Sequence, residues 1–123
     1  ANDISDLQMA KDEHYMTEFH DLKLAIKVFD DLDQAIHHIQ QYSSGHTEAI
    51  LTESEEAKNK FSKSLDSSVI FINASTRFTD GEMFGFGAEV GISTQKLHVR
   101  GPMGLESLTN ERYVVEGSGT IRQ

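Results

Sequence analysis

Asn73, Ser75, Thr76, Arg77 and Thr79 stand within seven consecutive residues, a guanidinium among three hydroxyls and a carboxamide. Such a set can hold a small anion. Arginine offers a planar fork to a carboxylate or phosphate, and hydroxyls with backbone N–H groups complete the cradle. These residues open the stretch Asn73 to Gly104, which contains six of the nine glycines, the only proline (Pro102) and three of the eleven Lys/Arg. Within it Arg77, Lys96 and Arg100 balance Asp80, Glu82 and Glu89, so the other 91 residues carry the whole net charge of −9. No apolar period runs through it for long, so it reads as neither a plain helix nor a plain strand. Phe78, Phe84, Phe86, Val90, Ile92 and Leu97 give it more to bury than a disordered tract has. It is therefore expected to be a folded, glycine-articulated loop region presenting polar side chains. The competing reading is a glycine-rich connection across one end of a sheet, with Arg77 bonded to loop carbonyls or to Asp80.

The elements that must position this stretch precede it. Leu22 to Phe29 (LKLAIKVF) reads as a largely buried strand. Asp30 and Asp31 offer an N-cap, Asp31 with Gln34 resembles a capping box, and Leu32, Ala35, Ile36 and Ile39 fall on one helical face. Ser43, Ser44 and Gly45 stop that helix, with Gly45 expected as a left-handed cap. Glu48 to Leu51 reads as a short strand. Thr52 and Glu55 form a second capping box before a helix that aligns Ala57, Phe61 and Leu65, and Ser68 to Ile72 reads as a buried strand. Strand, helix, strand, helix, strand predicts an α/β fold with a parallel β-α-β-α-β sheet. Ligands of open parallel sheets bind beyond the carboxyl ends of strands, where the Asn73 loop begins. Leu105 to Leu108 reads as a helical turn and Tyr113 to Val115 as a short strand; residues 1–17 read as a short helix or a leader.

A chain of 123 residues with 37 % apolar residues is one domain or a piece of one. Net charge −9 argues against nucleic-acid and anionic-membrane partners. No apolar run of about eighteen residues occurs, nor a basic-then-apolar start, so the sequence reads as having neither membrane span nor signal peptide, and the cytoplasm is expected. Cysteine is absent, which removes disulfides, thiolate metal sites and any cysteine nucleophile within these residues.

Other constellations read as structural. His37 and His38 diverge by about 100° on a helix, and His46 and His98 lack neighbours at ligand spacing, so no metal is expected. Glu53, Glu55 and Glu56 suit a solvated helix start. Gly85 to Gly91 (GFGAEVG) has the wrong spacing and context for a dinucleotide fingerprint.

The words of the sequence are more specific than its spacing. AIHHIQQYSSGHTEAI (Ala35 to Ile50) resembles the signature of the gamma-glutamyl phosphate reductases, also called glutamate-5-semialdehyde dehydrogenases. NASTRFTDG (Asn73 to Gly81), FGAEVGISTQKLH (Phe86 to His98), RGPMGLE (Arg100 to Glu106) and YVVEGSGTIR (Tyr113 to Arg122) resemble C-terminal blocks of the same family. The resemblance covers nearly everything after Thr17.

The resemblance implies an aldehyde-dehydrogenase-like fold and an NADPH-dependent reduction of L-glutamyl 5-phosphate to the semialdehyde, with release of phosphate, in proline biosynthesis. In that family a cysteine thiolate attacks the acyl phosphate and the resulting thioester takes a hydride. The nucleophile and cofactor domain lie upstream of the matched blocks, so the resemblance implies a C-terminal portion. Residues 1–104 would be part of the catalytic domain, with a glycine-rich active-site loop region, and residues 105–123 an oligomerisation segment ending in a short strand. It also implies a homo-oligomer, with glutamate 5-kinase as a partner. Thr17-Glu18-Phe19 falls where aldehyde dehydrogenases place a glutamate that meets the nicotinamide ribose, although the glycine and proline of that motif are Asp21 and Leu22 here. Asn73, Ser75, Thr76, Arg77 and Thr79 would line the substrate mouth, and His46 would tie a turn at a strand entry. The competing reading is a stand-alone, catalytically inactive module that binds a small ligand or another subunit. The length of the open reading frame upstream of Ala1 discriminates the two.

Overall fold

Two capped helices and one pair of parallel strands frame the chain, whose computed structural model describes residues 7–123. Residues 1–6, within the stretch read as a short helix or a leader, lie outside that range. Helix α1 spans Leu32–Tyr42, and the Asp31 side chain caps it by accepting from the Gln34 N–H at 2.8 Å, as its sequence predicts. Gly45 is left-handed (φ 73°), but the C-cap of α1 is Ser43, so Gly45 turns the connection beyond the cap. Strand β1 spans Thr47–Ile50, helix α2 Glu55–Ser64 and strand β2 Val69–Ile72. The α2 cap is Ser54, which accepts from the Ala57 N–H, and not Thr52. The Thr52 hydroxyl accepts instead from the Ser54 N–H at 3.1 Å, and the Thr52 peptide is bonded to Asn73 across the sheet end.

β1 and β2 pair in parallel, Thr47 opposite Val69 through Ile50 opposite Ile72. The helices pack together over Ile36, Phe61 and Leu65, with Leu32, Ile39, Ile50 and Ile70 half-buried around them. All three buried residues lie on the faces that the 3.6-residue period picks out. A Lys60–Asp33 ion pair at 2.6 Å and a Gln40-to-Ser64 carbonyl bond at 2.8 Å join α1 to α2.

Four further sequence expectations fail. Leu22 to Phe29 forms no strand: Leu22, Leu24, Ile26 and Val28 are 105 %, 82 %, 67 % and 89 % exposed. The alternation is real, but no second strand among the described residues pairs with it, so its apolar face has no cover. Tyr113 to Val115 is likewise irregular and exposed, without a ladder partner among the described residues. The glycine-rich stretch holds a small antiparallel pair, β3 (Gly91–Ser93) and β4 (Gly101–Met103), where no strand was expected. Its aromatic residues, expected to be buried, are open, with Phe78, Phe84 and Phe86 all above 40 % exposure.

The surface totals 10614 Å², against about 6,600 Å² for a folded monomer of 13.8 kDa. The apolar core among the described residues is three side chains, Ile36, Phe61 and Leu65.

Candidate functional site

The loop leaving β2 is set by hydrogen bonds that consume most of its polar side chains. Asn73 turns with a left-handed backbone (φ 54°), and its N–H donates to the Ile50 carbonyl at 2.8 Å. Its carboxamide accepts from the Thr52 N–H at 2.8 Å and donates to the Thr52 carbonyl at 2.9 Å. Ser75 caps a short 3-10 helix, Thr76–Phe78, by accepting from the Arg77 N–H at 3.2 Å. The Thr79 hydroxyl meets that of Thr47 at 3.0 Å, and Thr47 in turn meets His46 Nδ1 at 2.7 Å. His46 thus ties the start of β1 to the loop through one threonine. Asp80 accepts from the N–H groups of Glu82 and Met83 and so closes the next turn.

The Arg77 guanidinium is exposed, and among the described residues no ion pair or side-chain hydrogen bond engages it. Asp80 faces its own turn instead. Of the five residues grouped by sequence, Asn73, Ser75 and Thr79 hold the loop's shape. Thr76 and Arg77 project from it.

The other two cations of the stretch are committed elsewhere. Lys96 lies 2.6 Å from Asp66, and Arg100 reaches the Asp66 carboxylate at 2.8 Å and also its carbonyl. Lys96 first, then Arg100, holds the Asp66 carboxyl down to about 2. This carboxylate, in the link between α2 and β2, pins the β3–β4 connection to the sheet. Nothing in the sequence around Asp66 signals it, because its partners are 30 and 34 residues away. Arg77 is the cation that remains.

Close backbone approach explains two glycines. A Cβ on Gly81 would lie 2.5 Å from the Ala88 carbonyl oxygen, and one on Gly104 would lie 2.7 Å from Phe86 Cβ. The loop after Arg77 therefore folds back on its own residues at Gly81 and against Gly104, just past β4, with no room for a side chain at either place.

Glu18 stands apart from this loop. It is exposed, with His20 Nε2 3.8 Å away, and it lines an open cavity of about 550 Å³ between residues 14–25 and α1. No residue from 73 to 79 lines that cavity. Beside it lies a cluster that the sequence reading missed. The His38 ring packs at 4.7 Å from Tyr15, 5.1 Å from Phe29 and 4.6 Å from Tyr42. Lys27 Nζ sits 5.4 Å from both the Tyr15 and Phe29 ring centres and donates toward His38 Nδ1 at 3.5 Å. Burial, then the Lys27 charge, lowers the His38 pKa, while Asp12 opposes the shift. The signal available in the sequence was Tyr42 one helical turn after His38.

Among the described residues no three His, Asp or Glu side chains gather as metal ligands. No helix among the described residues is long and apolar enough to cross a membrane.

No family model matches the chain. It is 57 % identical over 119 residues to the gamma-glutamyl phosphate reductase of Bacillus mycoides (strain KBAB4), covering 97 % of this chain and 29 % of that protein. Identity to the gamma-glutamyl phosphate reductase of Caldanaerobacter subterraneus subsp. tengcongensis is 55 % over 118 residues, covering 96 % and 28 %. The crystal structure of gamma-glutamyl phosphate reductase from Thermotoga maritima superposes with a TM-score of 0.88 at 50 % identity, over 96 % of this chain and 28 % of that one. The resemblance read from the sequence blocks is borne out, and the fold is that of the matching portion of this enzyme. The chain spans less than a third of the length of these relatives.

Proposed function

We propose that this chain is the C-terminal portion of a gamma-glutamyl phosphate reductase, residues 1–104 contributing to its catalytic domain and 105–123 to oligomerisation. The complete cytoplasmic protein would reduce L-glutamyl 5-phosphate with NADPH to L-glutamate 5-semialdehyde and phosphate, in proline biosynthesis. The observation that carries this reading is the 57 % identity over 97 % of the chain to a protein of that name. The uncovered surface supports it, since the missing two-thirds would cover the ribbon Leu22 to Val28 and the open aromatics of the glycine-rich loop.

Within the reaction, the residues of this chain bind and orient; the nucleophile comes from elsewhere, because cysteine is absent here. Arg77 would receive the substrate's carboxylate or phosphate. Its guanidinium is unspent, and its backbone is held by the Ser75 cap and the Asn73 and Thr79 ties. The Thr76 hydroxyl, on the same helical turn, would add a donor. Glu18, an exposed carboxylate on an open cavity, suits hydroxyl groups of a ribose, which donate while it accepts. NADPH, when bound there, supplies the hydride. A homo-oligomer and glutamate 5-kinase remain the partners proposed for the complete protein.

The test uses the full-length protein that contains this chain. Phosphate-dependent reduction of NADP by glutamate semialdehyde, the reaction run in reverse, is expected. The 123-residue chain alone is expected to show none. A purified full-length protein without turnover would overturn the reading, and so would turnover by the isolated chain.

A further inference from the structure

Glu18 sits on a segment without a regular strand or long helix, so something must hold it still. The short 3-10 helix Asp12–Met16 is closed by the Thr17 hydroxyl, which donates to the Glu13 carbonyl at 2.7 Å. Tyr15 belongs to that turn, three residues before Glu18, and its ring lies against His38 and Tyr42 of α1. From the other side, Lys27 brings in the extended segment that follows Glu18, placing its ammonium between the Tyr15 and Phe29 rings. The stretch bearing Glu18 is thus gripped on both sides, and both grips close on one face of α1.

We propose that Tyr15, Lys27, Phe29, His38 and Tyr42 form a clamp that sets the position of Glu18, making Lys27 and Tyr42 positioning residues for the nicotinamide cofactor. This deepens the proposed function and rests on the placement of Glu18 made there. Three stretches, residues 12–16, 27–29 and 38–42, meet in this cluster, and the Glu18 cavity is lined by His38 and Tyr42 from the same α1 face. A cation over aromatic faces is a directional contact, more able to fix geometry than apolar packing alone. The clamp touches no residue of the Arg77 loop, so it should govern cofactor binding and leave substrate binding alone.

The test compares Tyr42→Leu, Tyr42→Phe, Lys27→Met and Glu18→Gln in the complete enzyme. NADPH affinity is read by fluorescence titration without substrate, and KM is read for each substrate. Tyr42→Leu and Lys27→Met are expected to weaken NADPH binding about five- to tenfold and raise its KM alike, with the KM for the acyl phosphate unchanged. Tyr42→Phe keeps the ring and should restore both. If Tyr42→Leu fails to fold, Lys27→Met decides alone. Equal changes in both KM values, or unchanged NADPH affinity in Lys27→Met, would overturn the clamp. Glu18→Gln separates the two ideas. If it weakens NADPH while the clamp variants do not, the clamp falls and the Glu18 placement survives; if it leaves NADPH binding unchanged, both fall.

Discussion

Asn73 grips Thr52 through both ends of one carboxamide, accepting from its N–H at 2.8 Å and donating to its carbonyl at 2.9 Å. β1 and β2 are parallel, so the chain segments leaving them depart from the same sheet end. A single side chain locks those two departures together, four residues before Arg77. The anion-binding reading counted Asn73 among substrate ligands; its geometry makes it the hinge pin of the loop that presents Arg77.

That relationship sets a stability prediction. Asn73→Ala removes two hydrogen bonds and forces a left-handed backbone onto alanine, an expected loss of about 2–3 kcal/mol. Asn73→Gly loses the same bonds without the backbone strain and should be milder by about 1 kcal/mol. Denaturant melts of both variants in the complete protein check the order. Equal losses would show that the positive φ carries no cost.

For Arg77 the prediction concerns activity. Arg77→Lys keeps the charge and loses the bidentate fork. A drop of about 30- to 1000-fold in kcat/KM for the acyl phosphate is expected, with the melting temperature unchanged. If the melting temperature falls while kcat/KM holds, Arg77 supports the loop and does not meet substrate.

The Asp66 anchor predicts an acid-side dependence. Its folded carboxyl, at about 2, lies below the ordinary 3.8, so the unfolded chain binds its proton more readily. The stabilisation is complete above about pH 4 and is lost as pH falls toward 2. Asp66→Asn should lower the melting temperature at pH 7, and the gap from the unaltered protein should close as pH drops through that window. A gap that stays constant down to pH 2.5 would mean that Lys96 and Arg100 do not act through this carboxylate.

The bare ribbon predicts how the isolated chain behaves. Leu22, Leu24, Ile26 and Val28 offer an apolar face beside unpaired backbone, a template for another strand. The 123-residue chain alone should self-associate at micromolar concentration, and Leu24→Lys with Ile26→Lys should suppress this. Sedimentation showing the same monomer for both proteins at every concentration would refute it.

The local elements and the likeness to the gamma-glutamyl phosphate reductases were legible in the sequence alone. The α1 and α2 faces, the Asp31 cap and the β1 and β2 runs depend on neighbours within a few residues, so period and capping chemistry were enough to find them. The long blocks from Ala35 to Arg122 were specific enough to name relatives. The partners of polar side chains were decided only in three dimensions. Whether Arg77, Lys96 or Arg100 is the available cation depends on Asp66, which no local rule connects to them. Whether Asn73 faces a ligand or Thr52 depends on two parallel strands ending side by side. The ribbon at residues 22–28 failed for the same reason: alternation makes a strand's face, but a strand exists only where a second one supplies the hydrogen bonds.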